Sequence, residues 1–392
     1  MDLDRTTRWL EDIDFLSLEL PLKHKNLFFH RNKDDFFNDI DFIKANIETF
    51  SDYELNLQLA KIIASIRDAH TSIPLRINLL LPLELYWFWS GIYVTVAPIE
   101  YQDILYCKIT KVNQIDIEEV IKSLRSIISY ENETYLKSQL PKYIPAIELL
   151  YDLGIADDID NLELTFEVEN NKIKTLDVKS LNLKECREKL ECIKNDLDYI
   201  KNLPLYRTNS KRHYWFQYIE TNKIVYFKYN ACKDMVPGGV FTFCKELIKF
   251  IENHVVERLI VDMRNNFGGN SSLLNSFIDD IRHSSKINKT GNLFIIIGRE
   301  TFSSAILNSY SFKKNTSAIF VGESTGGKPN CYGELGRMTL KNSGLTICYS
   351  TQYYKNIEDD NVPSLLPDVY IPTTLQNYIN KVDPCLEYIM SR

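Results

Sequence analysis

The chain has 392 residues, enough for two or three domains, with 44% hydrophobic and 25% charged residues, the balance of an ordinary globular protein. Its 46 Lys and Arg stand against 53 Asp and Glu, and the formal charge of −7 argues against general binding to nucleic acid or to an anionic membrane. Eight cysteines form no C-x-x-C pair, and the acidic, amphipathic start "MDLDRTTRWLEDIDFL" lacks the apolar run of a signal peptide. Free thiols in a reducing cytoplasm are therefore expected.

In chain order, residues 1 to about 70 are expected to be helical. "DDFFNDIDFIKANIETF" and "SDYELNLQLAKIIASIRDAH" carry apolar residues at three- and four-residue spacing. Ser51 followed by Glu54 predicts a capping box for the second of them. The most apolar stretch, "INLLLPLELYWFWSGIYVTV", is broken by Pro82, Glu84 and Gly91, so it reads as strands and turns rather than a membrane span. "GIYVTVAP" and "ILYCKITKVN" predict strands, "IDIEEVIKSLRSII" a helix, and 131–153 a further helical stretch. "LELTFEVENNKIKTLDVK" alternates around Asn170-Asn171, a hairpin signal.

From about residue 212 the pattern changes. "HYWFQYIETNKIVYFKYN" predicts a strand pair and "VFTFCKELIKFIENH" a helix. "VERLIVDMR", "GNLFIIIGRE" and "TSAIFVGE" are continuous apolar strands, with helices over "SLLNSFIDDIRH" and from "TFSSAILNSY". Apolar strands alternating with helices predict a mostly parallel sheet covered on both faces. Open α/β sheets of this kind place their sites on loops at the C-terminal ends of the strands.

Three such loops stand out. "RNNFGGN" (264–270) offers Gly268 and Gly269, whose backbone N–H groups meet no side-chain obstruction. "GRETFSSAI" (298–306) puts Ser303 and Ser304 at a helix start, where unpaired N–H groups and the helix dipole favour an oxyanion, although serine is also a common N-cap. "VGESTGGKPN" (321–330) has Gly322, Gly327 and Lys328 at phosphate-loop spacing. There, Pro329 occupies the position that needs a magnesium-binding hydroxyl, and the chain beyond it looks like turn and strand instead of helix. A Gly-rich turn fits better than a nucleotide site.

Taken in this order, "VDMRNNFGG", "TFSSAI" and "GESTGGK" resemble the C-terminal-processing (tail-specific) serine peptidases and their tricorn-like and interphotoreceptor-retinoid-binding-protein-like relatives. In that family a DLRNN-x-GG loop supplies an oxyanion donor and a TxSxxE segment the nucleophile. In one branch a GExTxGK segment carries a lysine base. Upstream, "IRDAHTSI" (66–73) resembles the DGHT segment of the histidine-using branch, which puts the chain closer to the tricorn-like and retinoid-binding-like relatives. The resemblance implies an α/β, ClpP/crotonase-like core over 183–392. It further implies an N-terminal helical region over 1–80 and an inserted, degenerate PDZ-like module over 81–182.

It implies a serine-type endopeptidase working through an acyl-enzyme, with Ser303 as nucleophile and the amides of Gly268 or Gly269 and of Ser304 as oxyanion donors. The base stays open between His70 and Lys328. Histidine titrates near neutrality unaided, whereas lysine needs burial or a positive neighbour. The glutamine that orients the lysine in its branch is Tyr332 here, which favours His70. Glu334 and Glu323 are the candidate orienting acids, and Asp68 equally suits a helix-end hydrogen-bonding role. Ile306 stands where the family has an acidic residue. No cofactor is expected, and His24, His30, His213, His254 and His283 show no metal-ligand spacing. The expected partner is a peptide or protein substrate, with its C-terminal end as one point of capture. A Ser303–Lys328 dyad and a catalytically silent peptide- or ligand-binding relative are the alternatives.

Overall fold

Three helices open the chain, Arg5–Lys23, Lys33–Ala45 and Asp52–Ala64, in a computed structural model that describes residues 3–168 and 172–392. In the first, Trp9, Ile13, Leu16 and Leu20 recur every three to four residues and are buried. Burying each such side chain contributes roughly 1.5–3 kcal/mol. The capping box at Ser51 and Glu54 is present. The chain divides into two compact units. One comprises residues up to 131, 139–196 and 331–354, and the other 132–138, 197–330 and 355–392.

The first unit adds to its helices an antiparallel sheet in the order Glu84–Phe88, Gly91–Val96, Lys108–Val112, Asn161–Val168, Lys172–Lys179. The amphipathic helix Ile117–Arg125 buries Val120, Ile121 and Leu124. The Asn170-Asn171 turn lies outside the described residues, and the strands on either side of it pair as expected. The helical stretch expected over 131–153 is broken into Glu133–Gln139, a 3-10 turn Leu140–Lys142 and Ile147–Asp152. Pro141 and Pro145 explain the break, since neither has a backbone N–H to continue the α-helical ladder, and Pro141 instead sits inside the 3-10 turn.

The hairpin Cys331–Thr339 with Thr346–Tyr354 also belongs to this unit. Two bonds tie it to the segment after His70, from Ser72 N–H to the Cys348 carbonyl (3.1 Å) and from Cys348 N–H to the Ser72 carbonyl (2.9 Å). At its turn, the N–H groups of Asn342 and Ser343 donate to Asp12 of the first helix (3.0 and 2.7 Å).

The second unit is an α/β layer structure. Five parallel strands run in the order Val369–Tyr370, Ile319–Gly322, Leu293–Ile297, Arg258–Asp262, Ile224–Tyr229, and Tyr214–Ile219 closes the edge antiparallel. Alternate residues face two separate cores. Val225, Phe227, Val261 and Ile295 pack with the helices Gly239–Asn253, Asn275–His283 and Ser304–Asn315. Tyr226, Ile260, Phe294 and Ile296 pack with Cys385 and Ile389 of the last helix. Burial on both faces accounts for the unbroken apolar runs in these strands.

Candidate active site

The three loops singled out in the sequence follow three neighbouring parallel strands, Arg258–Asp262, Leu293–Ile297 and Ile319–Gly322. Hydrogen bonds lace them together. Thr301 Oγ1 donates to the Met263 carbonyl (2.9 Å), Phe302 N–H to the Asn266 carbonyl (3.0 Å), and Gly326 N–H to the Thr301 carbonyl (3.1 Å). Beneath the first loop, Arg264 makes a bidentate pair with Asp383 (3.0 and 2.9 Å) and bonds Asp262 through Nε. Lys228, cross-strand from Asp262, completes a buried set of two acids and two bases. Burial alone would raise the Asp262 carboxyl, but the charges of Arg264 and Lys228 hold it at about 2.

Ser303 sits directly before the helix Ser304–Asn315 with φ 55° and ψ −126°. A non-glycine residue held there costs roughly 1–3 kcal/mol, and such strain concentrates where function needs a side chain presented from a sharp turn. Ser303 stands at the N-cap position, but its hydroxyl makes no capping bond to the helix. Ser304 has a different task, its Oγ donating to the Gly269 carbonyl (2.6 Å).

The two loop glycines are required by space. At Gly268 (φ 99°) an added Cβ would lie 2.8 Å from Ser303 Cβ and 2.9 Å from Ser304 N, and at Gly269 (φ 135°) only 2.2 Å from the Cys232 carbonyl oxygen. Their amides differ. Gly268 N–H donates to Asn266 Oδ1 (2.8 Å), whereas among the described residues the N–H groups of Gly269 and Ser304 make no hydrogen bond. Asn266, fully buried, is the hub of the loop, its Nδ2 donating to the Tyr229 carbonyl (2.9 Å).

The glycine-lysine loop closes over the start of the serine helix. A Cβ on Gly327 would lie 3.0 Å from Ile306 Cγ1 and 3.3 Å from Phe302 Cδ2. Ile306, where an acid was expected from the resemblance, thus packs beneath the loop. Thr325 Oγ1 donates to the Gly327 carbonyl (3.0 Å) and Lys328 is half-buried. The stretch leads into the strand Cys331–Thr339 with no helix, so the phosphate-loop geometry is absent at this position. Glu323 is committed to Arg299, accepting from Nε (2.9 Å) and Nη2 (2.6 Å). Glu334, in the hairpin, is exposed and accepts from the Tyr354 hydroxyl (3.1 Å).

His70 lies in the first unit, in a pocket built around Asp68. Both are buried. Asp68 accepts from His70 N–H (3.0 Å), His24 Nε2 (3.0 Å), Thr71 Oγ1 (2.5 Å) and Ser350 Oγ (2.6 Å). Since His24 Nδ1 accepts from Asn26 N–H (3.0 Å), its proton is on Nε2, aimed at Asp68. Although burial pushes the Asp68 carboxyl up, its bond from His24, the His70 charge and the two hydroxyls hold it below the usual range. His70 Nδ1 faces Glu131 Oε1 at 3.6 Å and Asp68 Oδ1 at 3.8 Å. Burial lowers the imidazole's proton affinity, yet Glu131, Asp68 and a bond to the Tyr332 backbone outweigh it and raise the pKa above the ordinary histidine value. Donor atoms of Asp68, His70 and Glu131 lie within 4.8 Å of one another, close enough for a metal ion, but Asp68 already serves four donors of the protein.

The carboxylates found flanking His70 are therefore Glu131 and Asp68, and not the Glu334 or Glu323 considered from the sequence. Nothing local in "SYENETY" marks Glu131, because only folding brings it to His70. Tyr332, in place of the glutamine of the lysine branch, serves the histidine pocket. Its backbone bonds His70, its hydroxyl accepts from Asn26 Nδ2 (3.3 Å), and its ring lies 5.5 Å from that of His24.

Residues 223–371 match the model of peptidase family S41. The fold is similar to a solved structure of mature CPAF complexed with lactacystin, with 13% identity, TM-score 0.66, and coverage of 98% of this chain and 97% of that one. A serine-to-alanine mutant of CPAF gives 14% identity, TM-score 0.68, and coverage of 98% and 96%. A peptidase-like protein of Parabacteroides merdae gives 12% identity and TM-score 0.50, covering 100% and 96%. No curated protein sequence matches the chain. Among the described residues no helix is long and apolar enough to cross a membrane.

Proposed function

We propose, for a chain that belongs through residues 223–371 to the serine peptidases of family S41, that Ser303 is the nucleophile of an endopeptidase with His70 as its general base. Ser303 Oγ attacks the scissile carbonyl while His70 Nε2 takes its proton. The Gly269 and Ser304 amides hold the oxyanion, and His70 returns the proton to the leaving amine. Water then hydrolyses the acyl-enzyme by the same route. Glu131 and Asp68 orient the imidazole through its Nδ1 edge.

The observation that carries this reading is the strained backbone of Ser303 on a helix start, with Gly268 against its Cβ. The bond from Gly268 N–H to Asn266 favours Gly269 as the loop's oxyanion donor. The reading requires His70 Nε2 and Ser303 Oγ to meet in the working enzyme. Peptide capture by strand addition, C-terminal end first, is part of the proposal. A groove of about 400 Å³ lined by Trp87, Ile92, Lys108 and Ile121 would serve it.

A second reading, a Ser303–Lys328 dyad, is favoured by the packing of Gly327 on Ile306, which brings the lysine's loop to the serine helix. Hydrolysis of casein and of fluorogenic peptides separates the two. Ser303→Ala and His70→Ala should each lose roughly 10⁴-fold or more in kcat, with thermal unfolding unchanged in Ser303→Ala. Wild-type turnover that survived His70→Ala would remove the histidine reading. A wild type with no turnover on any peptide would favour a binding protein.

A further inference from the structure

The N-terminal unit holds a second cavity, between the helices Arg5–Lys23 and Asp52–Ala64 and the turn of the hairpin, with a volume of about 290 Å³. Its charges are unequally committed. Asp52 accepts from Arg5 Nε (2.7 Å) and Trp9 Nε1 (2.8 Å), and Asp12 accepts from the Asn342 and Ser343 N–H groups (3.0 and 2.7 Å). The guanidiniums of Arg8 and Arg76, by contrast, line the cavity and among the described residues make no side-chain hydrogen bond or close ion pair, Arg8 acting on Asp4 and Asp52 only at longer range. The Tyr53 hydroxyl donates to the Arg76 carbonyl (2.9 Å) and fixes that backbone in place. Asn56 also lines the cavity, is only 5% exposed, and its Oδ1 accepts no hydrogen bond. A buried acceptor left unpaired is destabilising by about 1–3 kcal/mol, so an occupant with a donor would relieve it.

We propose that this cavity binds a small carboxylate that also carries an N–H or O–H donor. The fork of a guanidinium matches a carboxylate bidentately, and Trp9 and Tyr53 give the ligand body an apolar wall. Two sources share this chemistry, the terminal residue of a peptide and a free hydroxy acid. The proposal is independent of the serine chemistry.

Isothermal titration calorimetry on the full chain carrying Ser303→Ala tests it without ligand hydrolysis. The probes are N-acetylleucine, N-acetylleucinamide, lactate and inorganic phosphate. At least one of the two acids should bind, with the carboxamide weaker than its acid by about tenfold or more. The tighter of N-acetylleucine and lactate identifies the source. Arg8→Gln with Arg76→Gln should weaken the acid by about tenfold or more and leave the unfolding temperature unchanged, since both side chains are exposed. Failure of both acids to bind, equal binding of acid and amide, tighter binding of phosphate than of either acid, or indifference to the double substitution would each overturn the proposal.

Discussion

The serine side and the histidine side of the proposed machinery are built by different means. Around Ser303 the structure is made of backbone, with one strained residue, two glycines that nothing larger can replace, and carbonyls and amides that lace three strand-end loops. Around His70 it is made of side chains, with one buried carboxylate taking bonds from His24, Thr71 and Ser350, three separated stretches of chain. A backbone-built site tolerates side-chain changes near it and fails when a Cβ is added. A side-chain-built site fails when one hub loses its charge.

That contrast can be broken at either end. The largest effect is expected for Gly269→Ala, whose Cβ would lie 2.2 Å from a main-chain oxygen at a positive φ. Denaturant melts should show a loss of about 3 kcal/mol or more, and peptide turnover should vanish with the displaced loop. Asp68→Asn is next, because it turns amide hydrogens toward donors and removes a buried charge. A loss of roughly 3 kcal/mol in the same melts is expected, and stability within error of wild type would show that the hub is not structural.

Glu131→Gln should be milder and more informative. His70 must be neutral to act as a base, and its pKa is raised, so kcat/KM should climb with pH along a limb lying above the ordinary histidine value. Removing the Glu131 charge removes part of what favours the imidazolium. The limb should therefore shift to lower pH while kcat falls about 10- to 100-fold. A limb that stayed in place would separate Glu131 from His70 in function. The smallest effect is expected for Lys328→Met, with turnover within roughly fivefold of wild type if histidine is the base.

The same contrast explains what was legible in the sequence. The serine side is local: "RNNFGG", "TFSS" and the glycine-lysine loop each follow an apolar strand, and their order and placement are recovered in the parallel sheet. Pro329 was enough to set aside the nucleotide reading. His70 was visible as a short segment, but its acids were not, since Glu131 reaches it only through the fold and Asp68 looks like any helix-end aspartate. His24 likewise gives no spacing signal, because the carboxylate its Nε2 meets at 3.0 Å, that of Asp68, is distant in sequence and reaches it only in the folded chain. That Asn266 takes the Gly268 amide, which bears on the proposed choice of oxyanion donors, is also not legible in the sequence.

The most direct test is labelling with a fluorophosphonate followed by peptide mapping of the adduct. The account predicts a single phosphonylated residue, Ser303, with labelling abolished in Ser303→Ala, slowed severely in His70→Ala and retained in Lys328→Met. An adduct on another residue, or labelling that persists in His70→Ala and disappears in Lys328→Met, would contradict it.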